Sequence, residues 1–348
     1  MNFICTWLCA DEKGEESIFP QTGQKSSSQS HQNIYWRCLT LFFATSRRFN
    51  KKEKHILFTN VKYLPEVDGK NVSDLLTELQ VDVIFTDFKY KTPKGYFEMF
   101  QNQFYEFSIL EYIANNNKNE NDKYLILDSD CIFLRATDEL FVEAGDKGFL
   151  SFEYECPPEE VINGLSKMNM QVLYGELLHR KINEIPGYHL GEFFLASVKN
   201  INLIFSGFLE LWPELLRRNS LGLPKFNEEA QTLSYLYYKN EFTSSAKKTL
   251  LKRIWTNPVF FRNVEKTDTD VAVWHLPSEK QFGLGDLYDI LINKRQDFGF
   301  SLSDKQYRLI AQNTLGIPHL PISMRAKYYV LSYYRALRKR AKKKLSRV

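Results

Sequence analysis

Short runs of apolar and β-branched residues alternate along the chain with stretches whose apolar positions recur every three or four residues, and this alternation predicts an α/β fold. Residues 1–10 lack a basic leading segment, are short for a signal sequence, and read as a first strand. Residues 11–33 are polar and read as a long loop, after which 34–49 take up a helical period. Residues 55–60 and 81–86 are β-rich and bracket a helical stretch at 71–79. Phe97, Phe100, Phe104, Phe107 and Leu110 predict a longer helix over 96–116, stopped by Asn115, Asn116 and Asn117. Tyr124, Leu125, Ile126 and Leu127 form the next strand.

Further strands are expected at 148–154, 187–197 and 271–275, with helices over 199–218, 226–238 and 285–294. Nothing in 1–320 marks a repeat or a dividing linker, so these elements read as one domain. Strands that alternate with helices across turn-length connections predict a doubly wound, mostly parallel sheet with helices on both faces. Such sheets bind ligands outside the carboxyl ends of their strands.

Charge changes the picture only at the end of the chain. Residues 324–348 hold ten Lys or Arg and no acid, so of the 46 basic and 42 acidic residues the body keeps 36 against 42, a net charge of −6. Within that tail Val330, Tyr334, Leu337, Ala341 and Leu345 fall on one helical face, and Arg335, Arg338, Lys339, Lys342 and Lys343 cover much of the rest. With Tyr328, Tyr329, Tyr333 and Tyr334 at its start, the segment reads as a basic amphipathic helix lying on an anionic membrane surface, and no nucleic-acid partner is expected. No window approaches the ~20 apolar residues of a membrane span. Cys5, Cys9, Cys38, Cys131 and Cys156 are scattered, without a Cys-x-x-Cys pair, and imply neither a disulfide framework nor a zinc site. The expected setting is cytoplasmic, peripheral on the inner face of a membrane.

The candidate chemistry sits where the strand of Tyr124–Leu127 ends on Asp128 and Asp130. An apolar strand that finishes on two carboxylates needs their repulsion relieved, and Mg²⁺ or Mn²⁺ beside a phosphorylated substrate supplies that relief. Asp130 is the direct ligand in this reading, and Asp128 binds either the metal or a ribose. His275 ends a predicted strand on the same sheet edge, where its imidazole suits Mn²⁺. Lys280 follows in a Gly-bearing turn, placed to neutralise a leaving diphosphate. Glu192 and His189 belong to a strand whose neighbours Phe193, Phe194 and Leu195 are apolar, so at least one of the two should face a pocket. Glu228 and Glu229 open a helix, where they either compensate the helix dipole or act on substrate.

Asp128-Ser129-Asp130 resembles the Asp-x-Asp motif of metal-dependent glycosyltransferases of the GT-A fold, loosely those of the glycogenin and lipopolysaccharide galactosyltransferase group. Tyr188-His189-Leu190-Gly191-Glu192, Glu228-Glu229-Ala230-Gln231, and His275 with Lys280 are similar to later motifs of that group, in the same order. The resemblance implies a nucleotide-sugar donor and a saccharide or glycolipid acceptor, with transfer of a hexose in surface-polysaccharide or lipopolysaccharide synthesis and a retaining outcome. It also implies metal ligation by Asp128, Asp130 and His275. Thr6, Trp7 and Asp11, together with Asp128, His189, Gly191 and Lys280, would then bind the donor, and Glu229, Glu192 or Glu228 would carry catalysis. Tyr96 and Phe97 stand either in the same pocket or in the core. Two other readings are open. The couplet also resembles the nucleophile loop of haloacid-dehalogenase-like phosphatases, with Asp128 as nucleophile and Asp130 as acid and base. The chain is otherwise a non-catalytic membrane-docking protein that keeps the fold.

Overall fold

The structure is a computed structural model that describes residues 1–16, 24–259, 261–322, 324–326, 328–330 and 333. The chain runs β1 (Asn2–Leu8), α1 (Gln29–Phe49), β2 (Lys54–Thr59), a hairpin of β3 (Glu66–Val67) and β4 (Lys70–Asn71), α2 (Val72–Glu78), β5 (Val81–Phe85), α3 (Tyr105–Asn116), β6 (Lys123–Leu127) and β7 (Cys131–Phe133). It continues through α4 (Asp138–Ala144), β8 (Phe149–Leu150), α5 (Lys167–Leu178), β9 (Phe193–Ser197), α6 (Val198–Ser220), α7 (Glu229–Lys239), β10 (Leu251–Arg253), β11 (Val273–His275), α8 (Gly283–Tyr288) and α9 (Asp304–Leu315).

Six strands form the central sheet in the order β5-β2-β1-β6-β9-β8. The run from β5 to β6 is parallel, and β9 lies antiparallel between β6 and β8, so five strands point one way and one the other. The α/β class and the mostly parallel sheet therefore agree with the sequence reading. Parallel crossovers carry the chain outward from β1 to β2 and β5, then back across to β6. That reversal puts α1 and α2 on one face and α3 on the other, and leaves a switch point between the carboxyl ends of β1 and β6. The packing follows suit. Residues 39–46 of α1 are buried on every side, against β7, α2 and α8, which is why eight successive positions carry no Lys, Arg, Asp or Glu. On the opposite face Phe107 of α3 stacks on Phe208 of α6, ring centroids 3.7 Å apart.

A second, smaller sheet decides where the polar residues meet. After β6 the chain turns through Asp128, Ser129 and Asp130, leaves the central sheet, and pairs as β7 antiparallel with β11, Cys131 opposite His275. On its other side β11 runs parallel to β10, with His275 beside Arg253. The acidic couplet thus occupies the corner between two sheets.

Several boundaries differ from the expectations, each for a physical reason. The Phe-rich helix begins at Tyr105 rather than 96, because Phe100 takes a left-handed backbone (φ 58°) and only a 3₁₀ turn over Gln101–Phe104 leads into α3. Strand pairing at 187–197 is confined to Phe193–Ser197: residues 187–192 bend off the sheet, bridging at His189 to Glu153 and passing the Glu192 carbonyl to the Asp128 N–H. The expected strand at 148–154 shrinks to Phe149–Leu150. The polar stretch 11–33 does not remain loop throughout, since Ser28 caps the amino end of α1 and accepts from the His31 N–H. Neither β10 nor α9 was anticipated. In the tail, residues 324–326, 328–330 and 333 are helical, and the rest of the expected amphipathic helix lies outside the described residues.

Candidate active site

The cleft at the switch point is lined by the ends of β1 and β6, the couplet, the 188–192 bend, the start of α7 and the small sheet. Antiparallel pairing of Cys131 with His275, reinforced by the Leu276 N–H donating to the Asp130 carbonyl at 3.1 Å, brings the imidazole onto the couplet. His275 Nε2 lies 3.2 Å from Asp130 Oδ2 and 3.7 Å from Asp128 Oδ2. Ligand atoms of Asp128, Asp130 and His275 all fall within 4.8 Å of one another, and among the described residues this is the only such group of metal-ligating side chains. Asp130 Oδ1, a buried oxygen of the trio, has no hydrogen-bond partner, and His275 Nε2 meets the couplet only through its ion-pair contact with Asp130 Oδ2. Orphaned polar atoms in a buried site are costly. Two carboxylates, one with an unpartnered buried oxygen, and an imidazole that can give up its proton to a competing cation fit a metal ion, so this group can hold one.

The surrounding groups set the charges. Burial would raise the Asp130 carboxyl, but the Lys280 ammonium and the His275 ring outweigh it and hold Asp130 well below the usual carboxylate range. Asp128 goes the other way, raised to about 6 by burial and by the neighbouring Asp130 charge. Although burial disfavours its charge, His275 is pushed up to about 9 by Asp130 and Glu192. Glu192 receives a two-pronged ion pair from Arg253 and faces His275 Nδ1 at 3.2 Å. Burial opposes its ionisation, yet Arg253 and His275 together bring it to about 2. A charged Glu192 fixes the imidazole so that Nδ1 carries the proton toward it and Nε2 faces the couplet.

Lys280 places its ammonium on Asp130 Oδ2 and 5.5 Å from the centre of the Tyr35 ring. Its turn is pinned by Glu279, a fully buried carboxylate that accepts from the Thr256 hydroxyl, the Gly283 N–H and the Tyr328 hydroxyl. Across the cleft Glu228 accepts from the Tyr188 hydroxyl and the Asn163 amide and is raised by burial to about 7. Glu229 is raised well above the usual carboxylate range by burial and by Glu228, and its buried Oε2 has no partner. Gly191 is glycine for a steric reason, because a Cβ there would collide with the Glu229 carboxylate.

Trp7, Asp128, Asp130, Gly191, Glu192, Glu228, Glu229, His275 and Lys280 therefore share one cleft. Three other expected residues stand apart from it. Thr6 is fully buried within β1 and points its hydroxyl into the interior. Asp11 accepts from Ser26, and it is Ser26 that lines the cleft. The His189 ring turns away to Ser151, 2.8 Å from its hydroxyl, and burial depresses it to about 4, so it stays neutral. Tyr96 is a core residue that donates to the Phe226 carbonyl, and Phe100 rather than Phe97 reaches the cleft. The sequence reading missed Arg253, Tyr188, Asn163 and Tyr35. Arg253 gave no local signal, since Lys252 stands beside it in the same short apolar run. No protein-family model matches the chain, and no curated protein matches it.

Proposed function

We propose that the chain is a metal-dependent glycosyltransferase on a GT-A-like sheet, moving a hexose from a nucleotide sugar to a hydroxyl of a saccharide or glycolipid. The observation that carries this reading is the convergence of Asp128, Asp130 and His275, with Lys280 beside them, at the switch point of a mostly parallel sheet. Mn²⁺ or Mg²⁺ held by this trio would supply charge neutralisation to the departing nucleoside diphosphate. Lys280 adds a second positive charge toward the same oxygens. Trp7 and Ser26, the latter held by Asp11 behind it, line the side of the cleft where a base and ribose would lie. Glu228 and Glu229 face the sugar side, where a carboxyl with a midpoint near 7 can hold or take a hydroxyl proton. Glu192 positions His275 and does not itself reach substrate, since Arg253 and His275 occupy it. The Lys280 ion pair keeps Asp130 ionised, which speaks against its use as the proton donor of a phosphatase.

The tail supports a membrane-facing site. Its described part exposes Val330 and Tyr333, at 68% each, next to a run of Lys and Arg, a composition suited to an anionic lipid surface.

A thermal-shift panel of nucleoside diphosphates and nucleotide sugars, with and without Mn²⁺, tests the enzymatic reading. A metal-dependent rise in Tm is expected, together with slow hydrolysis of one donor. Hydrolysis of p-nitrophenyl phosphate without any nucleotide-dependent shift would establish the phosphatase instead, and no shift with any ligand would leave only a docking protein.

A further inference from the structure

We infer that Lys280 is an internal counter-cation, occupying the couplet's charge until a diphosphate draws it off, so that metal and diphosphate bind cooperatively through this one side chain. The inference rests on the metal reading of Asp128, Asp130 and His275 proposed above.

Asp130 is 1% exposed, and its Oδ2 already holds the Lys280 ammonium at 2.5 Å and His275 Nε2 at 3.2 Å. A divalent ion ligated by the same carboxylate would stand beside that ammonium in a buried setting, where like charges a few ångströms apart repel far more strongly than in water. One of the two has to give way. The backbone at Lys280 cannot, because the adjoining Glu279 is anchored by Thr256, Gly283 and Tyr328. The side chain can, since a lysine carries its charge on a flexible four-carbon stem. Asp128, Trp7, Tyr35 and Lys280 line one cleft, so an ammonium leaving Asp130 remains where a diphosphate would lie. A diphosphate there would offer it the anionic oxygens that the metal takes away at Asp130. The metal alone must therefore compete with Lys280, whereas metal and diphosphate together satisfy every charge. Linkage makes the effect reciprocal: each ligand tightens the other.

The contrary case is that Lys280 merely neutralises Asp130 for folding and moves aside freely. Titration of full-length protein with Mn²⁺ alone, free ion read by electron paramagnetic resonance, separates the two. Wild type, Lys280→Met and Lys280→Arg are compared, each first shown to melt cooperatively, with Lys280→Gln replacing the Met variant should that one not fold. The neutral variant is expected to bind Mn²⁺ alone about tenfold tighter than wild type, a size set by removing one adjacent positive charge. The Arg variant should stay near wild type. Inorganic pyrophosphate added with Mn²⁺ should raise Tm beyond the sum of the separate shifts in wild type, with that excess reduced in the neutral variant. A neutral variant that binds Mn²⁺ no tighter than wild type overturns the inference while leaving the metal site standing. Failure of all three proteins to retain Mn²⁺ removes the metal reading beneath it.

Discussion

The two sheets of this molecule solve opposite problems. The parallel run from β5 to β6 buries apolar side chains, and β1 within it holds Ile4 and Cys5 with no exposure. The small sheet of β10, β11 and β7 packs an equally dry interior, yet along one edge it carries Arg253, His275 and the couplet. Apolar burial tolerates exchange of one hydrophobe for another of similar size. A buried charge array tolerates no missing member, because the survivor is left uncompensated. The first region should therefore respond to volume and the second to charge and ligand.

The largest effect is expected from Asp130→Ala, which strands the Lys280 and His275 cations in the interior. It should lower unfolding stability by about 3–5 kcal/mol in a urea titration and abolish any Mn²⁺-dependent thermal shift. Phe107→Ala, which removes half of the stack on Phe208, should cost a similar ~3–4 kcal/mol but keep the full Mn²⁺ shift. A loss of the shift in both variants would erase the distinction between the two regions.

Glu228 sharpens the comparison through pH. Its midpoint is raised from 4.5 to about 7, so the folded state prefers it protonated. That preference is fully present below the unfolded value and is lost as pH rises through the folded one. Wild type should lose stability between about pH 4.5 and 7 relative to Glu228→Gln, by about 3 kcal/mol, as read from paired unfolding curves across that window. Parallel curves would show that the carboxyl titrates normally. The smallest effect concerns fit rather than charge. Gly191→Ala should destabilise by about 1–2 kcal/mol through its collision with Glu229, and Glu229→Ala in the same chain should recover most of it. Absence of recovery would place the clash elsewhere.

How much was legible in the sequence follows the same division. Strands such as β1, β2 and β6 announce themselves, because a core strand needs apolar residues in succession. The couplet stood out for the converse reason, two acids ending such a run. His275 and Lys280 could be placed at the same edge because they follow a recognisable strand. Arg253 could not, since β10 spans only Leu251–Arg253 and its role arises from lying beside β11, a pairing between distant segments that no local pattern encodes. His189 failed for a different reason. Alternation in a regular strand would put it on one definite face, but residues 187–192 are not a regular strand, and the bend sends its ring to Ser151. Phe100 likewise fits the helical spacing of its neighbours and escapes the helix through a left-handed backbone.

The hydroxyl of Tyr328 on Glu279 bears on how the basic tail can be studied. A stop codon at 324 would strip away the basic charges proposed to meet lipid and, with them, a strut beneath the lysine turn, so a lost Mn²⁺ response and a lost vesicle affinity would arrive together and teach nothing about either. Shortening the chain after Tyr333 spares that strut, and such a version can report whether the proposed bilayer attachment and the proposed metal chemistry are separable.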